Sequence, residues 1–215
     1  MKSIESYIEH TNLKPTLTSA DIDKLVKEAK DNNLFGVCVP PFWVERAKRE
    51  IGDSGVTLVT VIGFPLGYNR TETKLAEIEQ AVKDGADELD IVLNISAFKD
   101  NMEWAKIDLA KCNNLIHKHG KLSKVIIETA YLTDEEIKKA AKMCVDTGTD
   151  IVKTSTGFAP AGAKVEHVKL IKSVIPSTVG IKASGGVKNR ADAEAMIAAG
   201  ADRLGTSSGV EIVNG

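Results

Sequence analysis

Two lysines are the residues best placed to do chemistry in this sequence. Lys153 falls in DIVKTSTGF (residues 150–158) and Lys182 in TVGIKASGG (residues 178–186). In each, a short β-branched apolar stretch reads as a buried strand, and the lysine falls where that strand is expected to stop. An ammonium ion is rarely buried without a partner or a purpose. Two of them at equivalent strand ends point to amine chemistry in a shared pocket. A third ionisable group, Asp90, lies in ELDIVLN (residues 88–94), an otherwise apolar strand where an unpaired carboxylate would be costly.

A salt bridge between Asp90 and one lysine would explain that pair with no catalysis at all. The second lysine changes the balance, because one carboxylate does not fully neutralise two ammonium ions. Two such ions held together repel, and the one that gives up its proton becomes a nucleophile. A free lysine, with a pKa of about 10.4, is neutral at pH 7 in only a few molecules per ten thousand. Bringing that pKa to about 7 takes roughly 4–5 kcal/mol of destabilisation of the cation, within reach of burial plus one adjacent cation.

Glycines and hydroxyls form a second constellation. Lys182 is followed by Ala183, Ser184, Gly185 and Gly186, and the last apolar run leads into GTSSG (residues 205–209). Glycine lets backbone N–H groups approach an anion closely, and Ser207 and Ser208 can donate hydrogen bonds to it. Tight turns and helix caps are the commoner use of such residues. Their occurrence in two consecutive loops favours a phosphate site, which barrels often build after their seventh and eighth strands.

These groups need elements to bring them together. Apolar, β-branched runs appear near residues 7–13, 35–39, 57–62, 88–93, 124–128, 150–153, 178–182 and 203–205. Amphipathic segments lie between them. Residues 19–32 open with Thr18-Ser19 and carry Ile22, Leu25, Val26 and Ala29 on one face. Residues 71–84 hold Leu75, Ile78 and Val82 in register and stop at Gly85; residues 133–147 begin TDEE and stop at Gly148; residues 189–199 stop at Gly200. The phrase helix, Gly, Ala or Thr, Asp, strand recurs in KDGADELDIV, DTGTDIVK and AAGADRLG, as from one repeated βα unit. Eight such units predict an α/β fold of the (β/α)8 TIM-barrel type, one domain over residues 1–215. A doubly wound open sheet is the rival. It is disfavoured because neither a Gly-rich dinucleotide fingerprint nor a P-loop follows the first strand.

Composition removes several classes of function. The 28 basic and 30 acidic residues leave a formal charge of −2, which gives no general attraction for nucleic acid or for an anionic membrane. No apolar run is long enough to span a bilayer, and the N-terminal residues lack the apolar centre of a signal peptide. Cys38, Cys112 and Cys144 are scattered and show no metal-ligand spacing, as expected of reduced thiols in a cytoplasmic protein. His117 and His119 read as solvated residues at a helix end, and His10 lies at the first strand. Residues 62–67, IGFPLG, read as a strand followed by a shaped loop with no chemistry of its own.

The chain resembles the deoxyribose-phosphate aldolases, class I aldolases that work through a lysine Schiff base. The resemblance runs over essentially the whole length. It rests on IEHTNLKP, GVCVPP, IGFPLG, GADELDIVLN, KVIIETAYLTDEE, VKTSTGF, KASGGV and GTSSG. It implies a (β/α)8 barrel and reversible cleavage of 2-deoxy-D-ribose 5-phosphate to acetaldehyde and D-glyceraldehyde 3-phosphate. By motif match, Lys153 forms the Schiff base, Lys182 lowers its pKa and Asp90 serves in proton transfer. Gly157, Gly185, Gly186, Ser207 and Ser208 hold the phosphate. Thr156, Cys38 and Glu9 complete the substrate site, with Glu9 standing where relatives commonly carry Asp. Longer relatives also carry a C-terminal tail ending in tyrosine beyond the point where this sequence stops. The implied partners are a sugar phosphate and small aldehydes, with neither nucleic acid nor membrane; the assembly is left open, a homo-oligomer (dimer or tetramer) among the options. No cofactor or metal is expected, since an iminium ion does the work of a Lewis acid. A different Schiff-base aldolase or a transaldolase-like enzyme would share Lys153 but prefer a ketone donor. A sugar-phosphate sensor would bind without forming an imine.

Overall fold

The computed structural model describes residues 2–215. Eight strands alternate with helices along it: β1 (Ile8–Thr11), α1 (Ser19–Asp31), β2 (Gly36–Val39), α2 (Val44–Ile51), β3 (Thr57–Ile62), α3 (Thr71–Lys83), β4 (Glu88–Val92), α4 (Ile95–Asp100), α5 (Met102–Lys118), β5 (Leu122–Ile126), α6 (Asp134–Asp146), β6 (Ile151–Lys153), α7 (Val165–Lys172), β7 (Gly180–Ser184), α8 (Arg190–Ala199), β8 (Arg203–Thr206) and α9 (Gly209–Asn214). Each strand pairs in parallel with the next, and β8 pairs back onto β1, so the sheet closes into a barrel. Closure leaves no strand edge and buries both faces of the sheet, which is why β2, β4 and β6 are buried at every position. The open-sheet alternative is thereby excluded, and no helix among the described residues is long and apolar enough to cross a membrane.

Local chemistry fixes the helix starts. Thr18 and Thr133 form capping boxes with Asp21 and Glu136, and Asn189 caps α8 through the Asp192 N–H. The α1 face is buried at Ile22, Leu25, Val26 and Ala29, as its periodicity predicts. In α3 the buried stripe is rotated from the expected one and contains Lys74, which is fully buried. Its ammonium donates to Asp108 Oδ2 at 2.6 Å and to the Val92 carbonyl at 3.0 Å, tying α3 to α5 and β4.

β1 covers only Ile8–Thr11 of the expected residues 7–13, and two later strands are displaced from the sequence reading. β5 spans Leu122–Ile126 and not residues 124–128, because Glu128 adopts a left-handed backbone (φ 50°) that turns the chain out of the sheet. β7 runs two residues past Lys182, to Ser184. Lys182 is therefore inside a strand, whereas Lys153 is at the end of one. The register sets Lys153 directly across from Lys182, and Asp90 across from Lys124.

Candidate active site

Side chains of a strand alternate between its two faces, so each barrel strand sends only a few groups to the interior. Here several of those groups are charged. The Asp90 carboxylate accepts from Lys124 Nζ at 2.9 Å through Oδ1, and from both Lys153 Nζ and Lys182 Nζ at 2.8 Å through Oδ2. Lys182 also donates to Glu9 Oε2. Lys124 lies 2.5 Å from Glu88 Oε2 and 3.5 Å from Glu9 Oε1. Glu9, Asp90, Lys124 and Lys182 have no exposed surface, and Lys153 is only 2% exposed.

This cluster corrects the sequence-based count of charges. Three ammonium ions face three carboxylates, so the site carries no net charge when all six ionise. That balance makes it tolerable in a barrel interior, where an unpaired ion would not be. Sequence reasoning missed Lys124 and Glu88. The signal was present, since each sits in an otherwise β-branched or apolar strand, as Asp90 does. The longer Glu9 side chain reaches Lys182 directly and so belongs to the cluster.

Burial opposes ionisation of Asp90, but the ammonium ions of Lys124, Lys153 and Lys182 outweigh it and hold its carboxyl well below the usual carboxylate range. Burial disfavours the Lys182 cation, yet Asp90 and Glu9 overcome that and hold it well above the usual lysine range. Lys124 is raised against its burial by Asp90 and Glu9 in the same way. The cations at Lys124 and Lys182 are permanent features of the floor. Lys182 and Lys153 share one carboxylate oxygen, so their ammonium groups are held within a few ångströms of each other.

Access separates the three lysines. A cavity of about 300 Å³ opens above the floor at the C-terminal ends of the strands, and of the three only Lys153 lines it. Thr156, Gly157, Gly185, Gly186 and Ser207 stand in its wall. Ser208 does not line it. It precedes α9, with its N–H donating to Thr206 Oγ1 at 3.0 Å. Cys38 is fully buried among the charged groups, and burial pushes its thiol up to about 11. Lys14 and Lys188, exposed side chains that the sequence reading passed over, complete the rim. Each follows a site motif closely, Lys14 in HTNLK and Lys188 just after the glycine pair.

Backbone contact holds the wall in shape. The Ala163 N–H donates to the carbonyls of Ser184 (3.0 Å) and Gly185 (2.9 Å), and a Cβ at Gly162 would meet Gly185 O at 2.1 Å. Gly185 itself has φ +81°, a conformation that favours glycine. Ser184 Oγ donates to Ser155 O at 2.6 Å, and the Ser184 N–H to Thr154 Oγ1 at 3.1 Å. The loops after β6 and β7 are thus one unit.

A second cavity, of about 320 Å³, adjoins the first through Thr156 and Phe158. Its wall includes Leu66, Tyr68, Tyr131 and Glu128. The loop after β3 therefore contributes surface to the site, although the sequence reading gave it no part. The histidines stand apart from both cavities: His10 is buried against Glu28 at 2.9 Å, and His117 and His119 each pair with a carboxylate, Asp150 at 2.8 Å and Glu79 at 3.0 Å. Among the described residues no group of His, Cys, Asp and Glu is arranged to hold a metal ion.

Known aldolases resemble the chain over nearly its whole length. The chain is 48% identical over 215 residues to the deoxyribose-phosphate aldolase of Thermococcus gammatolerans, with 99% of this chain and 96% of that protein covered. The solved structure described as "QR15, an Aldolase" superposes with a TM-score of 0.94 at 44% identity, covering 100% of this chain and 96% of the other. A deoxyribose phosphate aldolase from Aeropyrum pernix, described as a unique tetramer, superposes with a TM-score of 0.92 at 34% identity over 98% of this chain and 89% of the other. The model of the DeoC/LacD aldolases matches residues 5–215, and with nearly its whole length accounted for the chain belongs to the DeoC/LacD family of aldolases.

Proposed function

We propose that the protein reversibly cleaves 2-deoxy-D-ribose 5-phosphate to acetaldehyde and D-glyceraldehyde 3-phosphate through a Schiff base on Lys153. One observation carries the assignment of the nucleophile: of three lysines bonded to one buried carboxylate, only Lys153 lines a cavity. A nucleophile must meet its electrophile, and Lys124 and Lys182 do not reach it.

The uncharged Lys153 amine attacks the C1 aldehyde of the open-chain sugar, and loss of water leaves an iminium ion. The Lys182 ammonium, fixed by Asp90 and Glu9, stands beside Lys153 on the same carboxylate oxygen. Asp90 serves in removing the C3 hydroxyl proton. It does so through a water, because its carboxylate does not line the cavity. A carboxylate held this far down is a weak base, suited to passing a proton on and not to storing it. The C2–C3 bond then breaks, with the iminium as electron sink, and glyceraldehyde 3-phosphate leaves.

The phosphate sits against Gly157, Gly185, Gly186 and Ser207, with Lys14 and Lys188 supplying countercharge at the rim and Ser208 supporting from the α9 side. Thr156 lies between the two cavities, and Cys38 is buried against Val59 and Val61. The identity to the Thermococcus gammatolerans enzyme supports the substrate. An oligomer, such as the tetramer described for the Aeropyrum pernix protein, fits the same reading. A cytoplasmic place in deoxyribonucleotide breakdown follows from the substrate.

The test is a coupled assay for glyceraldehyde 3-phosphate released from deoxyribose 5-phosphate, followed by synthesis with acetaldehyde or dihydroxyacetone as donor. The expected result is turnover with acetaldehyde as the working donor. A preference for dihydroxyacetone would replace this reading with a ketone-dependent aldolase, and binding without turnover would make the protein a sensor.

A further inference from the structure

The two cavities that meet at Thr156 and Phe158 differ in chemistry. The lysine cavity carries Lys14, Lys153 and Lys188 in its wall. The second cavity has no basic side chain in its lining. Its one charged residue, Glu128, is 3% exposed and turns Oε2 back to the Thr156 N–H at 3.2 Å. Half of the large apolar side chains exposed among the described residues gather there: Leu66, Tyr68, Tyr131 and Phe158. Such side chains scattered singly need no explanation, whereas a concave cluster of them marks a binding site. The wall is also preformed. Glu77 holds the loop after β3, with Oε2 accepting from the Gly63 N–H at 2.6 Å and Oε1 from Asn69 Nδ2 at 3.2 Å. The Gly67 N–H donates to Gly63 O at 2.7 Å, and the Tyr131 N–H to Glu128 O at 3.1 Å. The Phe158 N–H donates to Thr156 Oγ1 at 3.0 Å, and its ring stands edge-on to Phe64 with centroids 5.2 Å apart.

We propose that the second cavity is a subsite for the tail of an uncharged, apolar acceptor aldehyde, with Phe158 as the partition that keeps it apart from the phosphate wall. The proposal rests on Lys153 as the Schiff-base lysine and on acetaldehyde as the donor. Because the cavities meet at Thr156 and Phe158, an acceptor carbonyl held beside Lys153 can send its substituent either way. A phosphate finds countercharge only in the lysine cavity; in the second it would give up water with no cation in the lining. An alkyl tail gains most where it leaves water for an apolar wall. The reaction needs nothing beyond the two aldehydes. The acetaldehyde iminium on Lys153 loses a methyl proton and becomes an enamine. The enamine carbon forms a C–C bond to the acceptor carbonyl carbon, whose π pair moves to oxygen, and that oxygen takes up a proton. Water hydrolyses the new iminium, releasing a 3-hydroxyaldehyde and the free amine. The proton lost from the methyl group balances the one gained by the new hydroxyl.

The test is a series of acceptors, propanal, butanal, pentanal and hexanal, each supplied with acetaldehyde as donor. Products are measured by chromatography, and kcat/KM is taken from the dependence on acceptor. A buried methylene is worth up to about fourfold, so kcat/KM is expected to rise roughly two- to fourfold with each one added. Leu66→Asn/Tyr131→Asn makes two half-exposed positions of the second cavity polar, and neither residue lines the lysine cavity. In that variant the slope of log kcat/KM against chain length is expected to fall at least about twofold, with kcat/KM for D-glyceraldehyde 3-phosphate within about threefold of wild type. A flat series in the wild-type protein would overturn the proposal. So would a series as steep in the variant, or an equal loss with hexanal and D-glyceraldehyde 3-phosphate. Size-exclusion chromatography runs alongside: a variant that loses an oligomer formed by the wild type, with its series unchanged, would make the patch an interface between copies and overturn the subsite. Should the double variant not fold, Leu66→Asn alone decides, and a slope as steep as wild type overturns the proposal. A wild-type protein that makes no product from acetaldehyde and D-glyceraldehyde 3-phosphate would instead refute the reading of the donor and the Schiff base.

Discussion

Lys124→Met tests whether the barrel floor is a balanced charge cluster. Lys124 Nζ lies 2.9 Å from Asp90, 2.5 Å from Glu88 and 3.5 Å from Glu9. At an effective dielectric of about 20, each contact is worth roughly 5–7 kcal/mol of attraction before any cost is counted. Repulsion from Lys153 and Lys182, and the cost of removing all these ions from water, cancel most of it. What the substitution exposes is one uncompensated buried carboxylate, a loss of about 3–5 kcal/mol. For a chain of this size that corresponds to a fall in melting temperature of roughly 6–20 °C.

The sign with pH follows from the two shifts. Lys124 is raised on folding, so its contribution is complete below about pH 10 and is lost only as pH rises through its folded value. Asp90 is lowered, so its contribution is present above about pH 4 and is lost as pH falls through its folded value. The gap between wild type and variant is therefore flat from about pH 6 to 9 and narrows in acid. Calorimetry and urea unfolding at several pH values measure it. Lys124→Met/Glu88→Gln, which removes one charge of each sign, is expected to recover about 1–3 kcal/mol of the loss. A single variant within about 1 kcal/mol of wild type, or a double variant no better than the single, would refute the argument.

Lys182→Leu removes the cation that shares Asp90 Oδ2 with Lys153 and leaves Glu9 without it, so imine trapping on Lys153 at pH 7 should slow at least about tenfold; a trapping rate near that of wild type would make Lys182 purely structural. Ser207→Asp places a negative charge in the wall of the lysine cavity. It should raise KM for deoxyribose 5-phosphate by about tenfold or more while changing reaction with unphosphorylated deoxyribose little, and equal effects on the two would remove the phosphate from that wall. The three thiols are buried, and burial pushes Cys38 up to about 11 and Cys112 and Cys144 up to about 12. The native protein should therefore show no fast-reacting thiol with a disulfide reagent at pH 8, and rapid labelling of Cys38 would contradict its full burial.

The sequence shows the barrel more clearly than it shows the site. Eight β-branched runs and a recurring Gly-Ala-Asp phrase are local signals, and a closed parallel sheet is a direct way to bury both faces of such strands. Lys153, Lys182 and Asp90 stand out because each interrupts an apolar run. Lys124 carries the same signal but opens the run read as residues 124–128, where a lysine also fits a solvated end; β5 in fact starts at Leu122, and the register sets Lys124 across from Asp90. Glu128 was hidden for another reason. It continues an apolar strand pattern, and its left-handed turn depends on contacts that the β6 loop makes after the barrel closes. The rotated stripe of α3 has the same origin, since Lys74 is buried only because Asp108 and the end of β4 receive its charge.

The most direct measurement is borohydride trapping with acetaldehyde followed by peptide mass spectrometry. Lys153 is the one lysine of the cluster that lines the cavity, so the account predicts a single reduced ethyl adduct there and none in Lys153→Ala. An adduct on Lys182 or Lys124, or no adduct in a folded protein that binds deoxyribose 5-phosphate, would contradict it.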